Sequence, residues 1–533
     1  MVSTLKTTFL GEIHGKTENG VTQYLGIKYA NLKNRLADAE LIESLEATID
    51  ATNDGPTAVS LPTGCEIELN VIQHSLPKKQ LLQSDLDCLN LNITLPSGTT
   101  PSSKLPVFLF IHGGGLVIGA NSWPQFDYAR FVKLSEEKGL PIIGVSINYR
   151  LGAFGFLTSN ELRNAGYKAN NGIRDQRIAM RWVQRHIHDF RGDPGNVTLA
   201  GMSAGGASVT YHLHSDEPLF KRAIVMSGTY LLIRALPYEA HEKNYLRAIE
   251  ALGLTNVATE ARIQALLETP GHEIISKISD TALTAPAIDG DMVLPGMTFA
   301  DVEKCRSDVP KGKAWCRELM IGDAQTDSSI ISVLEPNLKT NCAKRFSAAM
   351  RTVLAAHPNE ADRILAAYGV TEETSDSNAL LSVLDYLNDI MFFAPVLAFA
   401  RGWNGNAHVY YFNEGNPWEG TWKGRATHIL DLAYLFQNFR EFLTSDQQNV
   451  GIAFAEDIFK FCHGISPWPA VTEGNFDGFS ARVYGSSDKG VASSIVNQAY
   501  GGETMRRDAL RNLAPGVSLD DLAEVFVAFK ATE

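Results

Sequence analysis

The sequence has no long apolar run, no excess of basic residues and no closely spaced pair of cysteines. No stretch reaches the roughly 18 consecutive apolar residues of a membrane-spanning helix, so no transmembrane segment is predicted. There are 47 basic and 60 acidic residues, giving a formal net charge of −13. This excess of acidic over basic residues argues against binding nucleic acid or an anionic membrane through a basic patch. We therefore expect a globular protein with neither kind of partner.

The scattered cysteines and the first residues exclude two further classes. None of the six cysteines forms a Cys-x-x-Cys motif, so no zinc site is expected. The first ten residues hold one lysine and end in only two adjacent apolar residues, Phe9 and Leu10. A secretory signal needs a longer apolar run, so a cytoplasmic location is expected. Secretion would be expected instead if a leader preceded this sequence.

Apolar runs and amphipathic stretches alternate in the first half of the chain. Residues 105–111 and 141–147 are continuous apolar runs, which predict strands buried on both faces. A helix is expected between them at 123–138, and an amphipathic helix at 174–188. A turn at 192–195 precedes another apolar strand. This order predicts a mostly parallel sheet covered by helices on both faces.

Shorter elements flank this central pattern. Residues 8–15 predict a hairpin and residues 21–29 a second pair of short strands. Later elements are expected as helices at 237–268, 343–399 and 519–529, and as buried strands at 319–322 and 409–412. No linker separates two halves, so 1–533 is predicted to be one domain. Its helical cap and insertions are expected within 230–400.

The sequence Gly-Met-Ser-Ala-Gly at 201–205 follows the apolar stretch 197–200. A serine on a sharp strand-to-helix turn adopts a strained backbone with its hydroxyl exposed, and flanking glycines let strand and helix approach. Ser203 is therefore the candidate nucleophile.

A second glycine motif, His-Gly-Gly-Gly at 112–115, follows the strand at 105–111. Glycines there can turn backbone N–H groups toward a carbonyl oxygen without obstruction by side chains. Gly114 and Gly115, with Ala204 after the nucleophile, are the predicted oxyanion donors. The alternative is an ordinary tight turn after a strand.

With both motifs in this order, the chain resembles the type B carboxylesterase family, which includes cholinesterases, fungal lipases and neuroligins. Further matching segments lie at 20–30, 87–93, 148–152, 171–176, 192–198, 289–291 and 468–469. The resemblance spans about 11–469 and is weakest at 31–60 and 335–400. It implies an α/β-hydrolase fold and a serine nucleophile assisted by an acid and a histidine.

The family's order of serine, acid and histidine limits the partners of Ser203. Four histidines come after a possible triad acid in the chain: His357, His408, His428 and His463. The segment 426–432 around His428 resembles the family's catalytic histidine segment. The family usually has glutamate followed by glycine at the acid position. Here that position holds Asp327, followed by serine. Asp323 is the rival, with a strand-end turn as its alternative role.

The surroundings of this site show one match to the family and two departures from it. Cys65 and Cys88 match the family's first disulfide loop, although the missing secretory signal favours free thiols, and both outcomes stay open. Cholinesterases hold a tryptophan in that loop, whereas residues 66–87 contain no Trp, Phe or Tyr, so a choline-ester specialist is not expected. Met202 replaces a frequent glutamate. Leu116, Trp123 and Phe126 are expected to line an acyl pocket or to pack beneath the cap.

The resulting prediction is a serine carboxylic-ester hydrolase acting on a small-molecule ester through an acyl-enzyme. Ser203, His428 and Asp327 would form the triad, and neither a metal nor an organic cofactor is implied. The alternatives are a lactonase, an amidase or an acyltransferase with the same triad acting on a specialised metabolite. A non-catalytic binding protein resembling the neuroligins is the competitor from another class.

Overall fold

The computed structural model describes residues 1–45, 47–279, 284–304, 310–472, 476, 478–502, 506 and 510–531. The described strands are β1 (Val2–Lys6), β2 (Glu12–Glu18), β3 (Val21–Lys28), β4 (Ala30–Leu32), β5 (Ala39–Leu41), β6 (Thr48–Asp50), β7 (Asn90–Pro96), β8 (Leu105–Ile111), β9 (Ile143–Ile147), β10 (Gly192–Met202), β11 (Arg222–Met226), β12 (Glu318–Ala324), β13 (Asn406–Phe412), β14 (Val471–Thr472), β15 (Ala481–Tyr484) and β16 (Ser493–Val496).

The described α-helices are α1 (Gly64–Ile72), α2 (Ala129–Glu137), α3 (Gly152–Phe156), α4 (Asn160–Asn164), α5 (Asn171–His186), α6 (Ala204–His212), α7 (Tyr238–Ala251), α8 (Thr259–Glu268), α9 (Gly271–Ile278), α10 (Phe299–Glu303), α11 (Ser329–Leu334), α12 (Cys342–Val353), α13 (Pro358–Ala367), α14 (Asp376–Asn388), α15 (Ala394–Gly402), α16 (Leu430–Leu435), α17 (Ser445–Cys462), α18 (Leu510–Leu513) and α19 (Leu519–Ala531).

One large sheet organises these elements. Its strand order is β1-β2-β3-β7-β9-β8-β10-β11-β12-β13-β15-β16, with β6 beside β2 and β14 beside β13. The strands from β9 to β15 run parallel, whereas the β1–β7 end and β16 pair antiparallel. Helices cover both faces. The predicted fold class, a mostly parallel α/β-hydrolase sheet, is confirmed.

The sequence of β8 shows why the sheet is buried on both sides. Val107, Leu109 and Ile111 pack into the hydrophobic core on one face, while Phe108 and Phe110 pack into the core on the other. Since side chains alternate along a strand, a continuous apolar run is needed to fill both cores.

Several predicted elements differ in detail. The helix expected at 123–138 is a 3₁₀ turn, Pro124–Phe126, followed by α2, and residues 21–29 form the single strand β3 rather than two. The hairpin expected at 8–15 is formed by β1 and β2, which meet through the loop at 7–11. The expected turn at 192–195 lies inside β10, where the register with β8 shifts between Gly192 and Val197.

One described helix is long and apolar enough to cross a membrane by length and composition alone. It runs from Asp376 to Gly402 with a mean hydropathy of 1.5, and it combines α14, a π-helical turn (Asp389–Phe393) and α15. However, 67% of its most apolar 18-residue stretch is buried inside the fold. The hydroxyl of Tyr386 donates to the carbonyl of Leu522 in α19 (2.7 Å), so this helix is a core element.

The parallel register gathers several strand ends at one edge of the sheet. Gly201 pairs with Ile111, Met202 with Met226, and Met226 with Gly322. The loops that follow β8, β10 and β12 therefore emerge side by side. This edge is where binding and catalytic residues collect in open α/β sheets.

Candidate active site

Ser203 occupies a strained turn between β10 and α6. Its backbone has φ 56° and ψ −121°, and its N–H donates to the carbonyl of Met226 (2.8 Å). A Cβ on Gly201 would approach the carbonyl oxygen of Gly205 to 2.3 Å, and one on Gly205 would approach that of Ile111 to 2.0 Å. The two glycines are therefore required for the close packing that forces Ser203 into this geometry.

The glycine loop after β8 lies beside this turn. Gly114 has φ 92°, and a Cβ there would come within 2.1 Å of the carbonyl oxygen of Ile118. Gly115 also has positive φ, and both glycines line the cavity that contains Ser203. Ala204 is the first residue of α6, where the backbone N–H groups have no partner within the helix. The structure thus brings the three predicted donors to one place.

His112 anchors the glycine loop. Burial lowers the pKa of His112 to about 4, so the ring is neutral near pH 7. Its Nδ1 lies 2.9 Å from the carbonyl oxygen of Gly113 and therefore carries the proton that it donates. The ring stacks on Tyr149, whose hydroxyl donates to the carbonyl of His112 (3.1 Å). These contacts of His112 hold the glycine loop in place.

His428 is hydrogen-bonded to Asp327. Its Nδ1 donates to Oδ1 of Asp327 over 2.7 Å, and the carboxylate is fully buried. The other carboxylate oxygen of Asp327 accepts the N–H of Ala324 (2.7 Å), and the N–H of His428 donates to Oγ of Ser329 (3.1 Å). With Nδ1 protonated, the neutral ring presents Nε2 as an acceptor. His428 lines the same cavity as Ser203.

Asp323 has a different environment. It lies within β12, is fully buried, and accepts a hydrogen bond from Nη1 of Arg506 over 2.8 Å. The strand extends two residues past Gly322, which turns the Asp323 side chain into a buried ion pair. Asp327 follows three residues after the strand and reaches His428.

The other three histidines make contacts elsewhere. His408 is buried on β13 against the ring of Trp468, and His463 hydrogen-bonds the carbonyl of Pro141 through Nε2 (3.1 Å). His357 is the residue before α13. Among the four histidines considered, the structure therefore places His428 in contact with a candidate acid, Asp327.

The cavity has a volume of about 390 Å³ and a mostly aliphatic wall. Segments between 232 and 392 contribute to that wall, as does α19 through Phe526 and Lys530. The ring of Phe392 packs edge-on against the imidazole of His428 at 5.6 Å between centroids. Residues from the range expected to form the cap thus line the cavity that contains Ser203. The cap and the one-domain organisation stay predictions.

Leu116, Trp123 and Phe126 do not reach this cavity. All three are described and none lies on its wall. Leu116 has φ 64°, which turns its side chain into the core, where it is 1% exposed. Trp123 and Phe126 stack on each other at 6.4 Å and line a separate surface cleft. Their packing role, the alternative considered for them, agrees with these contacts, whereas the pocket role does not.

Cys65 and Cys88 are both free thiols, so the disulfide implied by the resemblance is not formed in this structure. Burial raises the pKa of each thiol to about 12, which keeps both protonated. Cys305 lies outside the described residues. Among the described residues no group of three potential ligands could hold a metal ion.

Two buried carboxyl groups near the site were not predicted. Glu68, on α1, lines the cavity, and burial raises its pKa to about 7. Asp431 follows His428, and burial together with the nearby Asp327 raises its pKa to about 8. The available signal for Glu68 was a charged residue between the apolar residues Ile67 and Leu69.

Comparisons with known proteins give a family model and several relatives over most of the chain. A family model described as the carboxylesterase family matches residues 2–461. The chain is 29% identical to the para-nitrobenzyl esterase of Bacillus subtilis over 457 residues, covering 82% of this chain and 84% of the relative. It is 29% identical to lipase 4 of Diutina rugosa over 445 residues, covering 76% and 77%.

Solved structures share the fold of this chain. A PNB esterase structure superimposes with a TM-score of 0.74 at 23% identity, covering 97% of this chain and all of the other. A structure titled thermophylic PNB esterase has a TM-score of 0.72 at 25% identity, covering 93% and 97%.

Proposed function

Because the chain belongs to the carboxylesterase family, we propose that it hydrolyses carboxylic esters through an acyl-enzyme on Ser203. The observation that carries this proposal is the 2.7 Å hydrogen bond from His428 to the buried Asp327, with His428 and Ser203 on the wall of one cavity. A serine hydroxyl is a weak nucleophile until a base accepts its proton. An imidazole held in one tautomer by a carboxylate is such a base.

The reaction then takes two steps. His428 accepts the proton of Ser203 as its Oγ attacks the ester carbonyl, and returns that proton to the departing alcohol. Water attacks the acyl-enzyme with the same assistance, which releases the acid and restores the serine. Asp327 stabilises the imidazolium that forms in each step. The mostly aliphatic cavity supports a small-molecule ester as substrate.

The negative charge on the carbonyl oxygen is assigned to the N–H groups of Gly114, Gly115 and Ala204. Two of these residues line the cavity and the third begins α6, so that all three lie beside Ser203. Donors fixed before the reaction need no reorganisation in the transition state, and one such donor contributes on the order of 10²–10³ in kcat.

Covalent labelling tests the proposal directly. A fluorophosphonate should add one phosphonyl group per chain and abolish hydrolysis of p-nitrophenyl acetate, because the activated serine displaces fluoride. Peptide mass spectrometry should place the adduct on Ser203. Labelling of another serine with full loss of activity, or full activity after stoichiometric labelling, would overturn the proposal.

The glycine loop offers a matched pair of substitutions. Gly114→Ala should lower kcat/KM about 10²-fold, because the new methyl would collide with the carbonyl of Ile118, 2.1 Å away, and displace the donors. In Gly115→Ala the nearest atom is Cγ2 of Val117 at 3.7 Å, so only backbone strain of about 1–2 kcal/mol is added.

Steady-state kinetics on p-nitrophenyl acetate compare the two variants. Gly115→Ala should stay within about tenfold of the parent enzyme, since αL backbone strain is small beside a lost donor. Equal losses in both variants would contradict the steric argument, and no loss in Gly114→Ala would exclude a role of this loop in the oxyanion site.

A further inference from the structure

Glu68 is a buried carboxyl on the wall of the cavity that holds Ser203 and His428. It lies on α1 and is 7% exposed. Nε2 of Gln125 donates to its Oε2 over 2.8 Å. Val71, one helical turn further on, lines the same cavity, so this face of α1 is turned toward the substrate space.

The charge environment distinguishes Glu68 from the rest of the wall. Each other ionisable side chain on the described wall has an ionisable partner: Arg234 with Glu524, Glu335 with Lys530, and His428 with Asp327. The hydrogen-bond partner of Glu68 is instead the neutral amide of Gln125. A buried carboxylate is costly unless it is paired with a charge. The cavity therefore holds an acceptor whose counter-charge the protein wall does not supply.

We propose that Glu68 binds a protonated primary or secondary amine on the ester substrate and so selects amine-bearing esters. This inference rests on the proposed ester hydrolysis. An N–H cation satisfies the carboxylate with a charge-assisted hydrogen bond, which is about twice as strong as a neutral one. The aliphatic neighbours Ile67 and Val71 on α1 offer no aromatic face to a quaternary ammonium, so the recognition is assigned to hydrogen bonding.

Two pairs of rigid esters test the inference and show which side of the ester bond Glu68 contacts. In the alcohol pair, 4-(aminomethyl)phenyl acetate is compared with 4-ethylphenyl acetate. In the acyl pair, phenyl 4-(aminomethyl)benzoate is compared with phenyl 4-ethylbenzoate. Each pair differs only in an ammonium replacing a methyl group, and the para position prevents the amine from attacking its own ester. Because burial raises the pKa of Glu68 to about 7, assays at about pH 8 keep most of this carboxyl ionised and the amine mostly protonated.

The measured quantity is the ratio of kcat/KM for the amine ester to that for its ethyl counterpart. In Glu68→Gln this ratio should fall at least tenfold for one pair, while kcat/KM for the ethyl esters stays within threefold. Glutamine can still accept from Gln125, so the local packing is kept. Glu68→Met, which replaces the carboxyl with an apolar group of similar volume, should give the same result if the first variant folds poorly. Glu66→Gln, which alters an exposed carboxyl of α1 that pairs with Lys78 and does not line the cavity, is the matched control and should leave both ratios unchanged.

The outcomes separate this inference from the proposed function. Unchanged ratios in both pairs would overturn the selection of amines. An equal loss on amine and ethyl esters would also overturn it, because Glu68 would then act only by positioning the oxyanion loop. If the parent enzyme hydrolyses neither ethyl ester nor p-nitrophenyl acetate, the proposed function itself fails.

Discussion

Replacing Ser203 with alanine should lower kcat/KM for p-nitrophenyl acetate by at least about 10⁴-fold, because it removes the oxygen on which the proposed acyl-enzyme forms. The substitution removes one oxygen from a turn whose backbone is held by the N–H of Ser203 on Met226. The fold should therefore persist, with a thermal midpoint within a few degrees of the parent. Residual turnover comes from the oxyanion donors and substrate binding alone.

Ser227 provides a matched control for this substitution. It follows the neighbouring strand β11, also has positive φ (49°), and is fully buried with no hydrogen-bond partner for its Oγ among the described residues. Ser227→Ala should retain activity within a few fold and should still be labelled by the fluorophosphonate. Loss of activity in both variants would indicate that the edge of the sheet is disturbed. More than about 1% of the parent activity in Ser203→Ala would exclude Ser203 as the nucleophile.

Asp327→Asn should lower kcat/KM by about 10³–10⁴-fold with little effect on stability. An amide can donate as well as accept, so it no longer holds His428 in the tautomer that accepts the serine proton, and it provides no charge for the imidazolium. The measurement is kcat/KM on p-nitrophenyl acetate alongside a thermal melt. A loss below about tenfold would mean that another group orients the histidine.

Asp323→Asn should produce the opposite pattern. It removes the carboxylate that faces the buried guanidinium of Arg506, which costs about 3–5 kcal/mol of unfolding free energy. Below the melting range, activity should stay within about tenfold of the parent, because Asp323 does not hold His428. Combining Asp323→Asn with Arg506→Met should recover part of the lost stability. Greater loss of activity in Asp323→Asn than in Asp327→Asn would reverse the assignment.

The central sheet and the family were predictable because both depend on local signals, and both predictions are confirmed. Continuous apolar runs at 105–111 and 141–147 are typical of strands in a sheet with two covered faces. The two glycine motifs mark turns that other residues cannot make, as the approach of Gly205 to Ile111 shows.

The choice between Asp323 and Asp327 was harder because it depends on where β12 ends. A strand one or two residues shorter would free Asp323 to leave the sheet. Its length is set by pairing with β13, in which Asp323 lies opposite Tyr411 and Ala324 opposite Phe412. Pairing between strands 88 residues apart in sequence leaves no local mark.

The wall of the cavity that contains Ser203 was the least predictable part of the molecule. Glu68 meets Gln125 from a helix 57 residues earlier in the chain, and neither residue belongs to a recognisable motif. Trp123 and Phe126 follow the glycine loop closely in sequence, yet they line a surface cleft separate from the cavity of Ser203. Proximity in sequence to a catalytic loop was therefore a poor guide to proximity to the substrate.

The position of β15 has a consequence for the order of events during synthesis. A nascent chain that has emerged as far as residue 461, where the family match ends, already contains Ser203, Asp327 and His428. It still lacks β15, which pairs with β13, and Arg506, which neutralises Asp323. It also lacks α19, whose Phe526 and Lys530 complete the cavity wall. We therefore expect hydrolytic competence to arise late, when the ribosome has released these closing elements, so that a half-made enzyme is not active on the esters around it.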